Sequence, residues 1–324
     1  MSDFTEIKRA AERLDGVAVR TPLLEAPLLN ATAGRRVLVK AEALQRTGSF
    51  KFRGAWNALS SFSAEERRRG VLAYSSGNHA QGIACAAQEL GIPATIIMPD
   101  DAPQLKIANT KAYGADIVLY DRASGASREE LGARLVEERG LRLVAPFDDP
   151  YVVAGQGTTG LEIAEQAAER GISEAEVLVC SGGGGLSAGC ALALEATAPE
   201  MRVRTVEPVG FEDWQRSLAA GTVQPNNRPT GSICDAILTL SPGQLTWPIG
   251  ERLFGPGLSV TDEEAIAAMR VAAERLKLVL EPGGAVALAA ALFRSEEIEG
   301  DAVIVVASGG NVDVAQYADW IAAA

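Results

Sequence analysis

The sequence contains one histidine, His79, and four cysteines in 324 residues. Zinc sites of the ordinary structural and catalytic types draw on several Cys and His ligands, so this composition excludes them. A Ser–His–Asp hydrolase would have to use His79, and no GxSxG elbow accompanies it. Cys85, Cys180, Cys190 and Cys234 form no CxxC pair and sit among small or apolar neighbours. That is the setting of reduced, buried thiols, and a cytoplasmic location is expected. No apolar run approaches the ~18 residues that span a bilayer. The opening stretch MSDFTEIKRAAERLDG is charged and amphipathic, without the apolar centre of a signal peptide. Basic clusters are missing too. The net charge is −12, with acidic residues spread along the chain, which argues against nucleic acid, whose phosphates need Lys and Arg patches. No Pro/Ser-rich linker or repeat divides the sequence.

What the sequence does contain is an alternation of short apolar runs with helical periodicity. Val37–Lys40, Val71–Ser75, Ala94–Met98, Asp116–Tyr120, Glu176–Cys180, Arg202–Val206 and Ala302–Ala307 are mostly continuous in Val, Ile, Leu and Ala. Strands buried on both faces of a parallel sheet read this way. Helical spacing fills Ala80–Leu90, Arg128–Arg139, Val153–Arg170 and Glu263–Lys277, with a Thr261/Glu264 capping box before the last. The class is therefore α/β, and the strand clusters suggest two lobes. A small domain is expected over residues 70–147 and a large one over residues 1–69 and 148–324.

Four loops carry the chemistry. The segment VLVCSGGGGLSAGCALALEA reads strand, loop, helix, and Gly182, Gly183, Gly184 and Gly185 are consecutive. Their bare N–H groups can close around an oxyanion, with the positive end of the next helix behind them. Taken alone, Gly183, Gly185 and Ala188 also fit a GxGxxA dinucleotide fingerprint with Glu207 at ribose distance, so an oxidoreductase stays open at this point. In SFKFRGA, Lys51 stands between Phe50 and Phe52. Partial desolvation there favours the neutral amine, a better nucleophile and base, although a surface lysine at a helix start reads equally well. Ser75-Ser76-Gly77-Asn78-His79 follows an apolar strand and opens a helix, a setting for a carboxylate. Ser308-Gly309-Gly310-Asn311 follows the last strand and either forms a tight turn or meets a ligand ring.

Together these pieces resemble the fold-type II pyridoxal-phosphate (PLP) enzymes, in particular the threonine/serine dehydratase and serine racemase branch. The resemblance rests on SFKFRGA at 49–55, SSGNHAQG at 75–82, SGGGGLSAG at 181–189, Glu207-Pro208 and SGGN at 308–311, in order over essentially the whole chain. It implies a two-lobed architecture like the tryptophan synthase β subunit, each lobe an open, mostly parallel sheet flanked by helices. It also implies that Lys51 carries the cofactor and acts as base, Phe50 packs on the pyridine ring and Asn78 bonds the ring's 3-hydroxyl oxygen. Gly182 to Gly185 would hold the phosphate and Ser308 would meet the pyridine nitrogen. Ser76 would act on the face opposite the lysine, and Ser75, Ser76, Asn78 and His79 would surround the substrate carboxylate. The implied reaction is dehydration of serine or threonine to a 2-oxo acid and ammonia, with 3-hydroxyaspartate dehydration or serine racemisation as alternatives. The dinucleotide reading falls away, because a glycine fingerprint means little without its context.

Three further expectations come from the same resemblance. Glu207, the carbonyl of Phe211 and Asp213 match a divalent-cation loop, and oxygen ligands of this kind suit Mg²⁺ or Ca²⁺. An acidic loop capping the next helix is the competing reading. If 3-hydroxyaspartate is the substrate, its second carboxylate needs a cation, with Arg128 as first candidate and Arg53 as second. Relatives suggest a homodimer, and a short form without a C-terminal regulatory domain is expected from a sequence that stops at Ala324.

Overall fold

The computed structural model describes residues 3–75, 77–100, 102, 104–121 and 127–323. Ten strands form two sheets. They are β1 (Leu23–Glu25), β2 (Arg36–Lys40), β3 (Val71–Tyr74), β4 (Ala94–Pro99), β5 (Asp116–Tyr120), β6 (Arg142–Leu143), β7 (Ala175–Cys180), β8 (Met201–Pro208), β9 (Leu258–Val260) and β10 (Ala302–Val306). The larger sheet runs β1-β2-β10-β7-β8-β9 and the smaller β5-β4-β3-β6. Every pairing is parallel except β1 with β2. The α/β class and the parallel sheets follow the sequence pattern, since β10 (AVIVV) is buried at all five positions and lies at the centre of its sheet. A strand covered on both faces has no polar side to show.

All four strands of the smaller sheet come from Val71–Leu143, and the larger sheet is assembled from chain on either side. Helix Lys51–Ser60 joins the two parts. It packs on helix Asn78–Leu90, where a Cβ on Gly82 would come within 3.2 Å of the Lys51 carbonyl carbon. On its other side a Cβ on Gly155 of helix Pro150–Ala168 would meet the Arg53 carbonyl oxygen at 2.6 Å. Glycine at both contacts brings the backbones together and fixes where the lysine starts its helix.

One helix and three strands depart from expectation. The helix expected over Glu263–Lys277 is α-helical only over Asp262–Val271, then widens to a π turn over Ala272–Leu276, and Lys277 takes φ +61°. Strands β1, β6 and β9 have two or three residues each, too few for a period to appear in a sequence.

Candidate active site

The C-terminal ends of β3, β7 and β10 face one cavity of about 800 Å³ lined by Lys51, Asn78, Gly182 to Gly185 and Ser308. Ligands of open parallel sheets bind in such a crevice. Phe50 and Lys51 begin their helix directly against the last strand's exit, with the Phe50 N–H donating to the Ser308 carbonyl at 3.1 Å. The Lys51 Nζ donates to the Pro146 carbonyl at 2.8 Å and lies 5.1 Å from the Phe50 ring centroid. Burial pushes its ammonium down to about 8, against the opposing pull of Cys180 and Glu281. A lysine so poised is ~10% neutral at pH 7, orders of magnitude above a solvated one.

The glycine loop is built to have no side chains. A Cβ on Gly183 would lie 2.2 Å from the Phe147 ring, and one on Gly184, whose φ is +89°, 2.2 Å from the Trp214 ring. The loop's carbonyls face protein donors. Trp214 Nε1 donates to Gly182 O at 2.7 Å, Thr246 Oγ1 to Gly183 O at 2.6 Å and the Ala188 N–H to Gly184 O at 2.8 Å. That leaves the N–H groups at the start of the 13-residue helix Gly185–Thr197 for an anion. This cradle, next to a neutralisable lysine, fits a phosphorylated aldehyde cofactor.

Around the position for the ring, Ser308 is buried, and its hydroxyl accepts from the Cys180 thiol at 2.9 Å. Its own proton is then free to point into the cavity. Asn78 Nδ2 donates to Glu281 Oε1 at 2.6 Å, while Asn78 Oδ1 accepts from Asn311 Nδ2 at 2.8 Å. One Nδ2 hydrogen of Asn78 is left over. Burial pushes the Glu281 carboxyl up to about 7, with Lys106 and Asn78 pulling the other way, and its Oε2 is enclosed with no partner. Sequence reasoning missed Glu281. Its signal was Glu281-Pro282-Gly283-Gly284, an acidic residue placed at a helix start after the apolar run Leu278-Val279-Leu280.

His79 is buried with Nε2 3.0 Å from the Val144 carbonyl and Nδ1 unpartnered. Burial, reinforced by Lys51, pushes its imidazole down to about 3. It is therefore neutral, with Nε2–H donating and Nδ1 a bare acceptor. Ser75 lines the cavity, and Ser76 lies outside the described residues. Arg128 also lines it, half-exposed, 5.2 Å from the Tyr74 ring centroid and paired with Glu129 at 2.7 Å. A cation the sequence did not single out stands nearby. Lys106 reaches Asp235 at 2.7 Å from the smaller sheet's side, and its Nζ would sit 3.8 Å from a Cβ on Gly77.

One expectation needs correction, and a second has a competing role in the structure. Arg53 does not face the cavity. It is buried between Glu42 and Glu162 at 2.8 and 2.6 Å, and Glu162 also takes Lys40 at 2.5 Å. Neighbouring residues on a helix point about 100° apart, so standing two places from Lys51 sends Arg53 to the opposite side. The acidic loop 207–213 caps a helix as well. Glu207 caps helix Asp213–Ala220, its two oxygens accepting from the Trp214 and Gln215 N–H groups at 2.9 Å each. The Phe211 carbonyl accepts from Asn226 at 3.3 Å. Asn226 also donates to Asp213 Oδ1 at 2.6 Å, so each of the three expected ligands has a protein partner, and Asp213 Oδ2 is the oxygen among them left buried without one. No group of three His, Cys, Asp or Glu side chains stands together as a metal cluster among the described residues.

Comparison with known proteins agrees with this geometry. The family model for "Pyridoxal-phosphate dependent enzyme" matches residues 14–309. The chain is 44% identical over 321 residues to an L-threo-3-hydroxyaspartate ammonia-lyase of Pseudomonas sp, covering 99% of each. It is 41% identical to an L-threo-3-hydroxyaspartate ammonia-lyase of Saccharomyces cerevisiae, covering 98% of this chain and 96% of that one. The solved structure of maize serine racemase superposes with a TM-score of 0.91 at 36% identity, covering 99% of this chain and 97% of the other. A solved threonine deaminase superposes with a TM-score of 0.90 at 43% identity, covering 96% of this chain and 99% of the other. With a lysine at a helix start, a side-chain-free phosphate cradle and a serine hydroxyl meeting in one crevice, and a family match spanning all three, the chain belongs to the pyridoxal-phosphate dependent enzyme family.

Proposed function

We propose that this chain eliminates the β-hydroxyl of L-threo-3-hydroxyaspartate, ending in a 2-oxo acid and ammonia. The observation that carries the choice is the presence of Lys106 and Arg128 in the same cavity as Lys51. A second carboxylate is costly to bury unpaired, and two cations beyond the cofactor lysine can pair it. The names of the two ammonia-lyases at 44% and 41% identity support the same substrate.

When bound, pyridoxal phosphate supplies the electron sink that lets a Cα proton and a β-hydroxyl depart. The protein's residues do the rest. Gly182 to Gly185 would hold the phosphate and Lys51 would hold the cofactor through its Nζ. As a free amine Lys51 would take the Cα proton, which balances the hydroxide leaving as water; positioned bases of this kind contribute ~10²–10⁴-fold. The N–H groups opening helix Asn78–Leu90, with Ser75, would receive the α-carboxylate. Ser308, already accepting from Cys180, would offer its proton to the pyridine nitrogen rather than a negative charge. A neutral partner of this kind favours prompt elimination over side reactions.

Serine or threonine dehydration, with serine racemisation beside it, is the second reading. The pairing of Lys106 with Asp235 and of Arg128 with Glu129 favours it, because both cations already have anionic partners. Rates of 2-oxo-acid release on serine, threonine and the 3-hydroxyaspartates, in wild type and Arg128→Ala, decide between them. Selective loss of hydroxyaspartate turnover supports the first reading. A wild-type preference for serine or threonine supports the second, and equal losses on every substrate mean that Arg128 supports the fold or the α-carboxylate and reads nothing at the β-position.

The same proposal includes Mg²⁺ or Ca²⁺ at the acidic loop. Asp213 Oδ2 is buried with no partner, and both Asp213 and Glu207 are pushed up by burial. A missing positive charge would relieve both. Chelator treatment should lower the melting temperature and Mg²⁺ restore it; indifference, with no metal in elemental analysis, removes the cation from the proposal. It also includes a cytoplasmic homodimer, checked by light scattering on purified protein. No described helix is long and apolar enough to cross a membrane.

A further inference from the structure

Trp214 is the first residue after the acidic loop and is completely buried. Its main chain and side chain face different parts of the molecule. The Trp214 N–H donates to Glu207 Oε1 at 2.9 Å, and Asp213 precedes it in the same first turn. The indole Nε1–H donates to the Gly182 carbonyl at 2.7 Å, and the ring fills the space against Gly184 that a Cβ would need. The ring cannot easily move away. Phe254 and Trp247 pack on it at centroid distances of 5.1 and 5.9 Å, and a Cβ on Gly250 would stand 2.4 Å from its edge. Close-packed interiors transmit such displacements instead of absorbing them.

We infer that Trp214 is a positioning residue for the cofactor phosphate, tying the Glu207–Asp213 pair to the Gly182–Gly185 loop. Gly182 has no side chain to anchor it, and the indole donor is what holds its carbonyl away from the cavity. The carboxylate of Glu207 in turn fixes where the helix carrying Trp214 begins. A change in the charge or spacing of the acidic pair therefore moves the indole, and the indole moves the phosphate cradle. The inference concerns cofactor seating and does not depend on which amino acid is eliminated.

The test is a double-mutant cycle on the holoenzyme, with Trp214→Phe and Asp213→Asn singly and together. It is read by the dissociation constant of pyridoxal phosphate and by the ³¹P chemical shift of the bound phosphate. Trp214→Phe keeps most of the ring and removes the donor. It should weaken cofactor binding about tenfold, which is ~1.4 kcal/mol for one lost hydrogen bond. Asp213→Asn should move the ³¹P resonance although it touches no loop residue, and in the Trp214→Phe background it should add no further weakening. Additive effects in the cycle, or an unchanged dissociation constant in Trp214→Phe, would overturn the inference. If Trp214→Phe does not fold, the Asp213→Asn resonance alone decides, and an unmoved ³¹P shift sinks the idea.

Discussion

The two ends of the cavity are built by opposite means. At the cofactor end, Gly182 to Gly185 offer backbone donors at a helix start, walled by Phe147 and Trp214, with no charged side chain in the loop. At the end proposed for the substrate, Lys106 and Arg128 carry full charges on long side chains, each already paired with an acid. The first end is shaped before any ligand arrives, so its strength comes from geometry and little reorganisation. The second must exchange one anion for another, so it discriminates by charge and remains sensitive to salt. A cofactor that stays bound through many turnovers suits the first arrangement, and a substrate that must leave suits the second.

Four substitutions sharpen or break that contrast. Lys51→Ala should have the largest effect, a loss of ~10³-fold or more in 2-oxo-acid release, since the cofactor attachment and the base disappear together. An active Lys51→Ala enzyme would remove the central assignment. Glu281→Gln comes next and acts through pH. The fold holds this buried carboxyl at about 7, above its ordinary 4.5. A raised acid favours the native state most below pH 4.5, and that contribution declines as pH rises to about 7. The amide should abolish this slope, worth up to ~3 kcal/mol in the apoprotein. Thermal melts from pH 4.5 to 8 check it, and an unchanged slope means that Glu281 is not the group responsible.

Gly183→Ala tests the rigid end. Its Cβ meets the Phe147 ring, and overpacking of that kind costs ~1–3 kcal/mol, or about tenfold to a hundredfold in cofactor affinity. Equilibrium dialysis against pyridoxal phosphate measures it; wild-type affinity would show that the cradle yields. Lys106→Met tests the charged end and should be the smallest effect. It should raise KM for 3-hydroxyaspartate about tenfold, in the range of a hydrogen bond to a charged group, and leave serine nearly untouched. A uniform rise would assign Lys106 to holding the two sheets together through Asp235.

Much of the cavity was legible because its parts are local. A glycine run between strand and helix, a lysine between two phenylalanines and a serine after the last buried strand each announce themselves within a few residues. Arg53 was misjudged for a reason of the same scale, since helical rotation between positions 51 and 53 turns one side chain into the cavity and the other away from it. Glu281, Lys106 and Trp214 were missed because nothing in their own segments points to a ligand. Each acquires its role from a partner more than 30 residues away: Asn78 for Glu281, Asp235 for Lys106 and Gly182 for Trp214.

By itself the sequence determined the α/β class, the parallel sheets and the loop that can cradle a phosphate, because apolar runs, helical periods and consecutive glycines act over short stretches of chain. Only the tertiary structure decided which charges line the cavity and which are spent on one another. Arg53, Glu42, Glu162 and Lys40 come from three separate segments and close on themselves in the interior. The physical reason is that a charge acts on whatever the fold places within a few ångströms of it, and neither composition nor spacing along the chain sets that distance.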